Sequence, residues 1–226
     1  MEQLAPLIAT AINAGTPLLL AALGLLVNER AGVLNLGAEG MMLVAAAFGF
    51  MVGYQTQSPL LGFVAGAGAG MLMATLFSWL ALVLATNQVA TGLALSIFGT
   101  GLSAFIAQRF VGYAMPAKAS AVPGLADLPF VGPAFFQHHW MVYFSLLLCF
   151  AIMWFLFRTR AGLTLRAIGE SPESAHALGY PVRWIRFCAL LFGGACCGLA
   201  GLTCRWCTRR CGSRTWWLAV AGLRWR

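Results

Sequence analysis

Charge is what this sequence has least of. Only 9% of its 226 residues are Asp, Glu, Lys or Arg, and six are acids. A soluble domain carries about 25% charge and about 45–50% apolar residues, whereas 61% are hydrophobic here. A globule of this length has too little interior to hide so much apolar surface. A water-soluble fold is thereby excluded, and the bilayer must act as part of the solvent. Histidine is also scarce. His138, His139 and His176 fall on loops with no acids at metal-ligand spacing, which argues against a membrane enzyme. A glycine-rich phosphate loop with its Lys is missing, so the chain is expected to be no enzyme and to hold no cofactor. Met1 to Gln3 carries a Glu and no Lys or Arg. The positive region of a signal peptide is therefore lacking, and the first apolar run is expected to be a retained helix.

What is present is glycine and long apolar runs. There are 26 glycines, and small residues let membrane helices approach closely. The stretch Gly62 to Gly70 has small-xxx-small spacing, read first as tight helix packing and only second as a subunit interface. A helix needs about 20 apolar residues to cross the hydrocarbon core. The runs predict an all-α polytopic bundle of about six spans, apparently truncated. They are expected at about Leu4 to Val27, Met41 to Tyr54 (or from an earlier start inside the preceding polar stretch), Leu60 to Ala85, Val89 to Ala107, Trp140 to Phe157 and, from Phe187 to Gly201, an incomplete sixth. Lys and Arg in the loops set orientation. Arg158, Arg160, Arg166, Arg183 and Arg186 gather between the last two spans, while Gln108 to His139 holds only Arg109 and Lys118. The first of these loops is expected inside and the second outside, which places the N-terminus outside.

Two polar segments interrupt this pattern. Glu29 to Gly40 (ERAGVLNLGAEG) brings acids, an Asn and three glycines between apolar spans. The plain reading is a solvated loop. The functional reading is a broken-helix segment beside a translocation path, because ionisable groups at membrane depth face a cavity or a partner. The second segment runs from Thr159 to Pro181. Leu163, Arg166 and Ala167 have helical spacing. Ser171-Pro172-Glu173 offers a helix start with Pro at the first helical position, and Gly179 suits the C′ position. A short helix from about Pro172 to Leu178 would make a docking knob for a soluble partner. The plainer alternative is a helix resting on lipid headgroups.

Three stretches together resemble a known family: ERAGVLNLGAEGMML, TNQVATGLAL and TRAGLTLRAIGESPESAHALGYPVRWIR. The chain is similar, from Met1 to about Gly201, to the permeases of bacterial ABC importers for nucleosides and simple sugars. It looks closest to those paired with basic-membrane-type lipoproteins, related in turn to branched-chain amino acid and ribose permeases. The resemblance implies a multi-pass inner-membrane subunit that moves a small polar solute. It implies a second permease chain, an ATP-binding subunit that hydrolyses the ATP, an extracytoplasmic substrate-binding lipoprotein, contact with membrane lipid, and no nucleic acid. It places the ATPase-coupling loop at Gly162 to Gly179, with Gly162, Arg166, Gly169, Glu170, Ala175 and Gly179 as matching positions. Asn35 and Glu39 fall in the membrane-embedded signature. Asn87, Gln88 and Thr91 open the fourth span beside the path. A branched-chain amino acid permease is the nearest alternative. A stand-alone secondary carrier is the other, although such carriers often show internal repeats and none is convincing here.

After Gly201 the composition changes. Leu202 to Arg226 holds six Arg, four Trp and three Cys, and no acid. Cys204, Cys207 and Cys211 suggest zinc, but no fourth ligand lies near. A basic patch for anionic lipid is a second reading. A third is a frameshift after Gly201, since plausible GC-rich codons read in the next frame give an apolar string resembling the family's following segment. The chain is accordingly expected to divide into a permease domain at 1–201 and an atypical tail at 202–226.

Overall fold

The computed structural model describes residues 4–108 and 140–210, with side chains described for 11–108 and 140–204. The expectations for Arg109 to His139, and for most of the tail, lie outside the described residues. Among the described residues all regular structure is helical: α1 (Leu4–Arg30), α2 (Ala38–Thr56), α3 (Pro59–Ser78), α4 (Gln88–Gln108), α5 (Trp140–Arg158), α6 (Arg160–Glu170), α7 (Pro172–Ala177) and α8 (Val182–Arg210). A π-helical turn, Trp79–Val83, prolongs α3. Among the described residues, five helices are long and apolar enough to cross a membrane: α1, α3 with its π turn, α4, α5 and α8. The remaining long helix, α2, has 19 residues and opens with Glu39 in its first turn.

Contacts between helices fix their directions. Gly49 of α2 meets Gly62 of α3, and Ala45 meets Gly66, so these two run antiparallel. Gly70 meets Gly194 and Gly66 meets Gly198, so α3 and α8 are antiparallel. Ala31, just past α1, meets Arg186, while Gly24 meets Gly193, so α1 and α8 are antiparallel. In α2 and α4, Gly37 pairs with Gly92 and Gly40 with Gly99, a parallel arrangement. Direction therefore alternates from α1 to α4. The N-terminal end of α5 packs Met141 on Phe63 and Leu202, while Leu156, near its C-terminal end, packs with Val27 and Ala31. This alternation is the one that the arginine-based orientation assumes.

Packing follows from small residues. In a bilayer, helices associate by close contact rather than by expelling water. A Cβ on Gly70 would lie 2.2 Å from the Gly194 carbonyl oxygen, so the two backbones touch directly. Gly62, Gly66 and Gly70 all face α2 or α8, whereas a Cβ on Gly68 meets nothing within 4 Å. The small-xxx-small stretch thus packs helices of the same chain. The central cluster comprises Val33, from the segment between α1 and α2, with Met41, Val44, Met73, Phe77, Leu95, Leu190 and Cys197, among others, from α2, α3, α4 and α8.

The main departure from expectation is in the sixth span. α2 begins at Ala38, inside the polar stretch and three residues ahead of Met41. In the arginine-rich loop the helical spacing of Leu163, Arg166 and Ala167 belongs to α6, Arg160–Glu170, and the helix start at Pro172 to α7. The sixth span does not start at Phe187. α8 starts at Val182, directly after Pro181, and its apolar part runs for 23 residues to Cys204. Arg183 and Arg186, expected in the loop, lie in the first two turns of α8, where Arg183 is exposed and Arg186 bonds to carbonyls. Leu202 and Thr203, assigned above to the atypical tail, are buried. Leu202 packs on Phe63 and Met141 at the end of the bundle opposite Arg186.

Candidate functional site

The arginine-rich end of the bundle is built by two helix stops of the same kind. α1 closes at Gly32, whose φ is +77°. The amide of Gly32 donates to the Glu29 carbonyl at 2.9 Å, and that of Val33 to the Asn28 carbonyl at 3.0 Å. α7 closes at Gly179, φ +85°. There the Gly179 amide donates to His176 at 3.0 Å and the Tyr180 amide to Ala175 at 3.2 Å. Both are Schellman motifs, which need a left-handed residue at C′.

Between these stops, α6 and α7 form a platform. Thr159 caps α6: its Oγ1 accepts from the Gly162 amide at 3.1 Å. A Cβ on Gly162 would fall 2.1 Å from the Phe155 carbonyl oxygen, so only glycine lets α6 fold back onto α5. Gly169 lies as close to α1, where a Cβ would sit 2.3 Å from the Arg30 carbonyl oxygen. Ala175 is buried with Ile168 and Val182. Arg166 turns back toward α5, its guanidinium 5.1 Å from the Phe157 ring centroid, a cation–π contact worth about 0.5–1 kcal/mol at an exposed site. Of the six positions expected in the coupling loop, Gly162, Gly169 and Ala175 thus shape the platform, Arg166 braces it, Gly179 ends it, and Glu170 is exposed. The exposed face also includes Glu173, Ser174, His176 and Leu178, inside the helix expected as a docking knob, and Tyr180 just past it, none of which the sequence singles out individually. Leu178 is 77% exposed. An apolar residue left bare at the end of a six-residue helix was the available signal.

The second group lies where α2 and α4 begin. Residues 33–37 are irregular, and irregular backbone within a bilayer must find partners inside the protein. The Leu34 amide donates to Gln88 Oε1 at 3.0 Å. Ser96 Oγ donates to the Leu36 carbonyl at 3.0 Å. Asn87 opens α4, its Oδ1 accepting from the Val89 amide at 3.0 Å, which is the geometry of an N-cap. The Thr86 and Thr91 hydroxyls lie 2.8 Å apart. The structure therefore brings the Asn35–Glu39 segment onto the Asn87–Gln88–Thr91 turn. Asn35 itself points inward. It is 5% exposed, its Oδ1 accepts from the Gly37 amide at 3.0 Å, and its Nδ2 donates to Met41 Sδ at 3.6 Å. Glu39 and Asn87 are exposed, and Gln88 and Thr91 half-buried.

Asn28 was not singled out from the sequence. Its side chain is 0% exposed, lies against Gly193, and has no hydrogen-bond partner on either polar atom among the described residues. Among the described residues no cluster of His, Cys, Asp or Glu has the geometry to hold a metal.

Comparison with known proteins gives the geometry a context. A family model described as branched-chain amino acid transport system, permease component, matches residues 7–210. A putative glucose ABC transporter permease of Haloferax volcanii is 42% identical over 206 residues, covering 89% of this chain and 63% of the relative. A guanosine ABC transporter permease of Bacillus subtilis is 33% identical, covering 82% of this chain and 62% of the relative. A nucleoside ABC transporter permease of Lactococcus lactis is 28% identical over 86% of this chain and 65% of its own length. The chain therefore spans just under two thirds of the curated relatives it matches. No solved structure matches it.

Proposed function

Because the chain belongs to the family of branched-chain amino acid transport system permease components, a family of multi-pass membrane proteins, we propose that it is one membrane-spanning subunit of an ABC importer that carries a nucleoside or simple sugar inward. The relatives named for glucose, guanosine and nucleosides support that substrate class.

One observation carries the reading: the α6–α7 platform. It presents Glu170, Glu173, His176 and Leu178 outward while its inner face is fastened to α1, α5 and α8. Such a surface suits a soluble ATP-binding subunit, and its attachment to three long helices lets a docked partner move them. The chain does no chemistry on the solute. Hydrolysis of ATP by the partner subunit drives the platform. The long helices then alternate between outward-open and inward-open arrangements with a second permease chain, and an external binding lipoprotein delivers the solute. Glu39, Asn87, Gln88 and Thr91 form the candidate polar lining of the path, and Asn35 holds the irregular turn that presents Glu39.

Purifying the complex through a tag on this chain and reconstituting it in proteoliposomes tests the proposal. Uptake of labelled guanosine or glucose should require ATP and the binding lipoprotein. Uptake driven by an ion gradient without ATP would instead establish a secondary carrier, and uptake of leucine alone would establish a branched-chain amino acid permease.

A further inference from the structure

Arg186 joins three helices that are far apart in sequence. It lies in the second turn of α8. Its Nε donates to the Ala31 carbonyl, at the end of α1, at 3.0 Å. Its Nη2 donates to the Ile168 carbonyl, in the last turn of α6, at 3.3 Å. Both acceptors belong to helix C-termini, whose last carbonyls have no partner within their own helix. The backbone makes room for the guanidinium. A Cβ on Gly32 would lie 2.9 Å from Arg186 Nη2 and 3.0 Å from the Gly169 Cα. Two glycines and one Arg thus form a single junction where α1, α6 and α8 meet.

Apolar contacts run in parallel with this junction. Ile168, Ala175, Val182 and Ile185 bind α6, α7 and the start of α8. Leu165 packs with Val27, Ala31, Leu156 and Ala189. These contacts are nondirectional and permit sliding. The two hydrogen bonds are directional, and a planar guanidinium presents its donors in a rigid fork. Beyond the junction, α8 meets α3 at Gly194 and α2 at Gly201, so a displacement of α8 reaches the centre of the bundle.

We infer that Arg186 is a positioning residue which transmits movement of the α6–α7 platform to α1 and α8, and so sets how much solute is moved per ATP hydrolysed. This rests on the function proposed above. Its removal leaves platform and bundle each folded but lets one move without the other.

The test uses the assembled complex in proteoliposomes and reads the ratio of solute taken up to ATP hydrolysed. In Arg186→Gln the ratio should fall about tenfold, the equivalent of about 1.4 kcal/mol and close to the lower end for a hydrogen bond to a charged group, while ATP hydrolysis stays within about twofold. Arg186→Lys keeps the charge but lacks the fork, so it should restore the ratio only in part. A merely structural role would lower assembly, hydrolysis and uptake together at constant ratio, and that result overturns the inference. A second measurement does not depend on transport. In the purified full chain with its native cysteines replaced by Ala, spin labels at Leu18→Cys and Ala177→Cys should give a narrow distance distribution that broadens when Arg186→Gln is added. An unchanged width overturns the inference even if the wild-type complex shows no ATP-driven uptake, whereas loss of wild-type uptake alone counts against the proposed function.

Discussion

Substitution of Gly179 isolates the role of the platform's cap. Gly179 has φ +85°, and a Cβ built there meets nothing within 4 Å. A side chain therefore clashes with no neighbour, and the whole cost is backbone conformation. For an L-residue the left-handed region costs about 1–2 kcal/mol, a factor of about 5–30 in a local opening equilibrium. α7 has only six residues, and isolated helices that short are not stable in water. The cost therefore falls on the two Schellman hydrogen bonds, Gly179 to His176 and Tyr180 to Ala175. Gly179→Val, β-branched and least tolerant of positive φ, should speed hydrogen exchange at the amides of residues 179 and 180 by about 5–30-fold. Gly179→Asn should stay near wild type, because Asn tolerates the left-handed region. In the complete importer the Val variant should impair uptake while the binding lipoprotein keeps its affinity for solute. Equal exchange rates in the Gly and Val forms would refute the reasoning.

Other substitutions probe packing and orientation. Gly70→Ala drives a methyl against the Gly194 carbonyl and should lower thermal stability by about 1–3 kcal/mol, whereas Gly68→Ala, where a Cβ meets nothing within 4 Å, should hold or raise the unfolding midpoint; equal losses would contradict the packing described. Asn28→Leu removes two buried polar atoms that lack partners among the described residues and should raise stability by about 1–3 kcal/mol; a lower midpoint would show that Asn28 is satisfied in the membrane. Cysteine at Ser171 should be protected from an impermeant reagent in intact cells and cysteine at Gln55 labelled, and the reverse pattern would invert the orientation.

What could be read in the sequence was local. Pro172 and Gly179 bracket α7 because a helix start and a left-handed stop depend on neighbouring residues. The long apolar runs located the spans for the same reason. What could not be read depended on distant partners. Arg183 and Arg186 resemble loop residues until the Ala31 carbonyl, 155 positions away, is seen to accept from Arg186. The early start of α2 rests on Gln88 and Ser96, 54 and 60 positions from the backbone groups they satisfy. For Asn35 the family resemblance implies a place in the membrane-embedded signature, and its inward turn onto the Gly37 amide and Met41 Sδ is visible only in the folded chain. The π turn at Trp79–Val83 has no residue signature; it is followed by Ala85 at φ +51° and by the Thr86 hydroxyl donating to the Leu80 carbonyl at 2.8 Å.

Photo-crosslinking at Leu178 tests the central claim most directly. A photoreactive residue there, on the exposed end of α7, should capture an ATP-binding subunit in inverted membrane vesicles, and the yield should change with nucleotide. The same probe at Leu72, exposed on the apolar face of α3, should capture none. Capture of the ATP-binding subunit at Leu178 and not at Leu72 is the predicted result; no ATP-binding protein at Leu178, in vesicles that still take up solute, would contradict the account.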